Sequence, residues 1–287
     1  MTEVYHHGIK GQRWGVRRYQ NKDGSLTPEG IKRYMREQNK IANKGLDRTS
    51  FTQDRVIPKG IKMYRTTADN GEEKNSSTYV SYLDVDRNHY KGGWIRETAG
   101  SNKAYEREYT LTKDLKIPSR KEAQEVIQNI VLKNKKLLNE SIKSWVDVAI
   151  PEGSWERSEI WFNYDGKGDA VKDFTNNMIK EMSKAPIEQA YYTIAQSLGL
   201  AKNVKNAIIG ELSKRGYNAM ADEASIGGHN GYRREGFDPL IIFDNGVLEQ
   251  TSSRKISRKK ENKARKADEK WQRKVSNRSG AWSAIND

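Results

Sequence analysis

The chain contains no cysteine, which excludes disulfides, thiolate nucleophiles and Cys-ligated zinc and fits a reducing compartment. Histidine is almost as scarce. His6 and His7 are adjacent, His89 and His229 stand alone, and no His-x3-His spacing occurs, so no zinc or other metal site is expected. No run approaches the roughly 18 uninterrupted apolar residues of a membrane span. The first residues carry no apolar h-region either, so neither a membrane helix nor a secretory leader is expected. Acidic residues are what the two ends lack. Residues 1–40 hold nine Lys/Arg against four acids, and residues 251–287 hold twelve against four. Of the net charge of +14, those ends carry +5 and +8, leaving +1 on the body. A nearly neutral body between two cationic arms predicts a polyanionic partner for the arms, DNA or RNA, although solubility alone would also account for such tails.

The sequence present in 287 residues is enough for one large domain or two small ones. Three glycines, Gly8, Gly11 and Gly15, argue against a regular helix near the start. Thr27 as N-cap and Pro28 at the first helical position predict a short basic helix from Pro28 to about Ala42. Alternation predicts strands over Ile61–Arg65, Thr78–Leu83 and Glu106–Leu111. Ser119 and Glu122 have capping-box spacing, and Ala123, Val126, Ile127, Ile130, Val131, Leu138, Ile142 and Trp145 keep a helical period, so one long helix is expected there. Further helices are expected over about 169–182, 187–198 and 202–215, with Gly216 as a left-handed C-cap. Short strands over 217–221 and 240–243 close the body. The reading is an α+β fold with a mainly antiparallel sheet and a helical insertion. Its divisions are a basic N-terminal module and short helix over 1–50, a body over 51–250, and a basic tail over 251–287. That tail carries Lys259 and Lys260 among few apolar residues; a helix around Lys260–Lys274 is open to it, but such a helix is marginal in isolation and the tail is expected to be disordered on its own.

The run from His6 to Pro28, HHGIKGQRWGVRRYQNKDGSLTP, resembles a short module of phage and prophage proteins of Gram-positive bacteria, where it accompanies head-region or virion-associated proteins. The resemblance implies a virion or host-cytoplasm location and phage head proteins as partners, with no membrane. Arg13, Arg17 and Arg18 with Trp14 and Tyr19 could contact phosphates and stack on bases. They could equally form a docking peptide anchored by Trp14.

The body carries a second resemblance. Lys62-Met63-Tyr64-Arg65-Thr66-Thr67, then Tyr79-Val80-Ser81-Tyr82 with Asp84, Asp86 and Tyr90, then Tyr105–Ile117, and finally Arg215–Asp222 with Asp238–Asp244, are similar in order to segments of ADP-ribosyltransferase-like domains. That resemblance implies NAD as substrate and no metal. It implies that Arg65 meets the diphosphate, that Ser81 positions the nicotinamide ribose, and that Tyr82 or Tyr90 stacks on nicotinamide. A carboxylate must steady the cation that develops as nicotinamide leaves. No Ser-Thr-Ser triplet follows Arg65, and the expected glutamate slot falls at Pro239, so Glu108, Glu223 and Asp238 compete for that role. Glu106 and Glu108 should share one strand face with Arg107 on the other, as an ordinary exposed sheet face would. The expected function is a virion-associated ADP-ribosyltransferase-like effector acting on a host target. The alternatives are a non-catalytic minor head or assembly protein and a nucleic-acid-binding accessory protein.

Overall fold

The computed structural model describes residues 19–45, 53–68, 78–94, 103–150, 152–162, 166, 168–222 and 238–283. Thr27 caps the first helix, α1 (Pro28–Asn43), its hydroxyl accepting from the Gly30 amide at 3.1 Å. Two strands follow, β1 (Arg55–Ile57) and β2 (Lys62–Thr67), and then β3 (Thr78–Val80). A short helix, α2 (Asp84–His89), runs into a wide turn over 90–94. After β4 (Tyr105–Leu111) and β5 (Leu115–Ile117) the chain turns helical: α3 (Arg120–Ile127), α4 (Lys135–Ala149), α5 (Trp155–Phe162), α6 (Ala170–Met182), α7 (Ile187–Ser197) and α8 (Lys202–Lys214). Gly216, at φ 88°, turns the chain into β6 (Ala219–Ala221). The elements β7 (Leu240–Ile242), β8 (Leu248–Lys255) and α9 (Arg258–Ser283) complete the described fold.

The fold is α+β, and every strand pairing among the described residues is antiparallel. One sheet has the order β2-β4-β8, a second β3-β7-β6, and β1 pairs with β5. Among the described residues a single bridge, Tyr64 to Ser81, joins the first two sheets. The second sheet separates two apolar layers. Val80, Leu240, Ile242, Ala219 and Ala221 face a core shared with Met63, Tyr109 and Leu111 of the first sheet. Met220 and Ile241 face the helices α3, α7 and α8 through Val126, Ile127, Ile194, Val204 and Ile208. A satellite core of Leu138, Ile142, Val146 and Met182 holds α4 to α6.

Two expectations are corrected. The long helix predicted from residue 119 is two helices, with a wide turn over 128–132 and a fresh N-cap at Asn134, whose side chain accepts from the amides of Lys136 and Leu137. The apolar period runs through that break because each helix keeps an apolar face of its own, α3 toward α7 and α8 and α4 toward α6. Ser119 does cap α3, accepting from the Glu122 amide at 3.2 Å, but the Glu122 carboxylate turns to Arg215 instead of closing the box.

The larger correction concerns the tail. Residues 248–255 are an edge strand along β4, and α9 lies on the body. Its buried positions are Glu261, Ala264, Asp268 and Trp271, with Val275 half-buried, a 3-4-3-4 spacing that gives one continuous stripe. Trp271 donates from Nε1 to the Ala42 carbonyl at 3.2 Å and packs in the same core as Ile57, Leu83 and Val85, which Ile31, Tyr34 and Met35 of α1 also flank. The described helices of the two basic ends, α1 and α9, thus share the core of the body. Gly92 permits the close approach. A Cβ there would stand 3.0 Å from the Arg265 Cα and 3.1 Å from its nitrogen.

Candidate functional site at the parting of two sheets

The Tyr64–Ser81 bridge has two short bonds, Tyr64 N to Ser81 O at 2.7 Å and Ser81 N to Tyr64 O at 2.8 Å. Beyond it the strands part, since Arg65–Thr67 pair with β4 and Thr78–Val80 pair with β7. Arg65 is the first residue past the junction. Its register partner is Arg107 of β4, so the two guanidinium side chains lie on one face, next to each other. Arg107 is 2% exposed, and Met63 and Tyr109 continue the same inward parity.

The other wall supplies a phenol and a carboxylate. Tyr79 of β3 is half-buried, and its pKa is pushed well above the ordinary value, first by burial and then by the Asp222 carboxylate, with Arg65 opposing. Asp222 is buried at the end of β6, its amide donating to the Pro239 carbonyl at 2.9 Å. Two arginines, one tyrosine and one carboxylate therefore border the parting of the sheets. Two guanidiniums in register present up to ten N–H donors, a geometry matched to a diphosphate or dicarboxylate.

The serine plays a different part from the one its resemblance implied. Ser81 is 2% exposed and its hydroxyl donates to the Tyr64 carbonyl at 3.3 Å, so it closes the junction between the sheets and offers nothing to a ribose.

The candidate acids are scattered. Glu106 and Glu108 project from the opposite face of β4 to Arg65 and Arg107. Glu106 accepts from Arg87 Nε at 2.7 Å, Arg87 Nη2 at 3.0 Å and Lys91 Nζ at 2.9 Å. Burial raises its pKa, but these cations outweigh it and leave the group below the ordinary carboxylate value. Arg87 also lies 3.8 Å over the Tyr64 ring. Glu108 accepts from Lys62 Nζ at 2.6 Å and from the Thr251 hydroxyl at 3.4 Å. It cannot join Arg65 without crossing the sheet.

Asp238 belongs to another cluster. It is 0% exposed, accepts from Arg55 Nη1 and from the Tyr82 hydroxyl at 2.6 Å, and its amide donates to both Asp86 oxygens at 3.2 Å. Tyr82 is 2% exposed, so neither residue is open to a ligand. Tyr90 stands in the turn beneath α9, with its ring edge-on to His89 at 5.3 Å. Glu223, Arg13, Trp14, Arg17 and Arg18 lie outside the described residues. Lys259 and Lys260 are exposed on the first turn of α9, where Lys259, Asn262, Lys263 and Lys266 line a shallow groove.

Arg107, Tyr79, Arg55 and the buried role of Asp86 were not singled out from sequence. For Arg107 a signal existed: it shares the parity of Tyr109 and Leu111, the inward positions of the strand. Among the described residues no group of three or more His, Asp or Glu is placed to hold a metal, and no helix is long and apolar enough to cross a membrane. Comparison with protein families, with curated proteins and with solved structures finds no match to the chain.

Proposed function

We propose that this chain is a phage virion-associated, ADP-ribosyltransferase-like protein that takes NAD as substrate and acts on a host target. The observation that carries the reading is the Arg65–Arg107 pair, in register on one face where the two sheets part. Two guanidinium groups side by side present their donors in planar forks that match the oxygens of a diphosphate. Arg65 and Arg107 hold the diphosphate in this reading, and Tyr79 forms the wall beside it. The bond from the nicotinamide nitrogen to the ribose breaks, and Glu223, one residue beyond Asp222, steadies the cationic ribose until an acceptor attacks.

The test is NAD binding by calorimetry and nicotinamide release, with and without host lysate, for the native chain, Arg65→Ala, Arg107→Ala and Glu223→Gln. Turnover that disappears in Arg65→Ala and Glu223→Gln supports the transferase. Absence of both binding and turnover in the native chain overturns it. A second reading, a non-catalytic head or assembly protein, is favoured by the commitment of Glu108 and Asp238 to cations of the fold. Presence in purified particles without NAD turnover is its signature.

A further inference from the structure

The two basic ends, some 230 positions apart, meet. Lys274 Nζ donates to the Asn43 carbonyl at 3.0 Å and Trp271 Nε1 to the neighbouring Ala42 carbonyl, so the end of α1 lies against α9. Lys40 and Lys44 are exposed on one side of this junction and Lys270, Arg273 and Lys274 on the other.

Charge is sorted across α9. Two of its three acids between 258 and 275, Glu261 and Asp268, are turned inward, where Glu261 pairs with Arg258 and Asp268 with His89 and Gln272. Opposite the buried stripe run Lys259, Lys263, Lys266, Lys270 and Arg273, all exposed. Glu269, 3.7 Å from Arg273, is the one acid on that side within 258–275. The five cations span about 21 Å at the helical rise, a length over which one strand of a duplex presents about six phosphates at about 3.4 Å each. Arg258, Lys259 and Lys260 also occupy the first turn, where the helix dipole disfavours cations, a cost to stability that the fold itself does not require.

We infer that α9, extended by the end of α1, is a preformed ridge that grips the phosphate backbone of double-stranded DNA without reading its sequence. Single-strand binders stack bases on exposed aromatic rings. Within 258–275 the one aromatic side chain, Trp271, is buried, so this stretch of the ridge has no stacking face. The wide major groove of B-form DNA accepts a helix-sized ridge, whereas the narrow groove of duplex RNA does not. This inference is independent of the NAD reading, since it uses none of the same residues.

The experiment measures anisotropy of the full chain with a random-sequence duplex of about 25 base pairs, from low to high salt. The comparison is with Lys259→Gln/Lys263→Gln/Lys266→Gln/Lys270→Gln and with a control of equal charge loss elsewhere, Lys135→Gln/Lys136→Gln/Lys143→Gln/Lys172→Gln. Removing four phosphate contacts should flatten the slope of log affinity against log salt by about 3 to 4 and weaken low-salt binding at least ~100-fold, with unfolding temperature unchanged. The control should keep the native slope. Equal loss in both variants, or no loss in the α9 variant, overturns the ridge. Tighter binding of single-stranded DNA or duplex RNA than of duplex DNA overturns the assignment of its partner.

Discussion

Two ionic clusters sit within the sheets of this protein, and they are built on opposite plans. Around Asp238 the charges close on themselves: Arg55 and Tyr82 donate to its carboxylate, its amide donates to Asp86, and both acids are fully buried. Around Arg65 the described residues place two guanidiniums beside one carboxylate and a tyrosine. Burying an ion is costly unless its partners are in place, so the first arrangement suits a permanent fastening. The second sets two guanidinium groups in register where two sheets part, a fork geometry that suits a dianion. Each cluster contains a buried aspartate, Asp238 in the first and Asp222 in the second. What separates them is the sign of the charges set side by side: an arginine meets an aspartate at Asp238, and an arginine meets an arginine at Arg65.

The largest expected effect tests the closed cluster. Asp238→Ala leaves Arg55 buried without its main partner and should destabilise the chain by about 3–5 kcal/mol, read from denaturant unfolding. A loss under about 1 kcal/mol would show that the cluster is not the fastening described. Trp271→Ala asks whether α9 belongs to the same fold. Removing a buried indole and its bond to Ala42 should cost about 3–5 kcal/mol and expose the α9 amides to hydrogen exchange. If unfolding is unchanged, the helix is not part of the cooperative unit. Arg107→Ala should behave in the opposite way to Asp238→Ala. Its effect should be read in ligand binding, with pyrophosphate affinity falling at least ~10-fold in calorimetry while a cooperative unfolding transition is kept. Strong destabilisation with unchanged anion binding would make the arginine pair another fastening and erase the contrast.

The same logic explains which parts of the fold were legible. Elements whose signal is local came through: Thr27 and Pro28 at the start of α1, Asp169 ahead of α6, and Gly216 after α8 do what their chemistry allows at those places. The docking of α9, as distinct from its helical character around Lys260–Lys274, was hidden because two of the four buried positions in its stripe are acids. Glu261 and Asp268 read as solvated charge until the neighbours that receive them, His89 among them, are known. The break at Asn134 was hidden for the converse reason, since the apolar period runs through it. At the site, Arg65 could be picked out from its strand, but Arg107 matters only through a register that joins residues 42 positions apart. The burial of Asp238 and Ser81 is likewise set by long-range partners, Arg55 and Tyr64, and not by their own segments.

Smaller effects refine the contrast between the two faces of β4. Glu106, on the face away from Arg65, has its folded pKa below the ordinary value because Arg87 and Lys91 outweigh its burial. A depressed carboxylate contributes stability that is present above its unfolded pKa, near 4.5, and lost as pH falls through the folded value. Stability should therefore decline below about pH 4.5, and Glu106→Gln should flatten that part of the profile while lowering stability at neutral pH. A profile with the same slope in the variant would remove Glu106 from the acid response.

Ser81→Ala is the mildest change and discriminates between two roles for one hydroxyl. A junction serine whose Oγ only supplements the backbone bridge to Tyr64 should cost about 1 kcal/mol or less, since both main-chain bonds of the bridge persist without it. NAD affinity, if the transferase reading holds, should change less than ~3-fold, because the hydroxyl faces the Tyr64 carbonyl and not the parting of the sheets. A loss of NAD binding as large as that of Arg65→Ala, with stability intact, would return Ser81 to the ligand and require the junction to open when NAD binds. The pair of measurements thus separates a residue that shapes the site from one that touches its occupant.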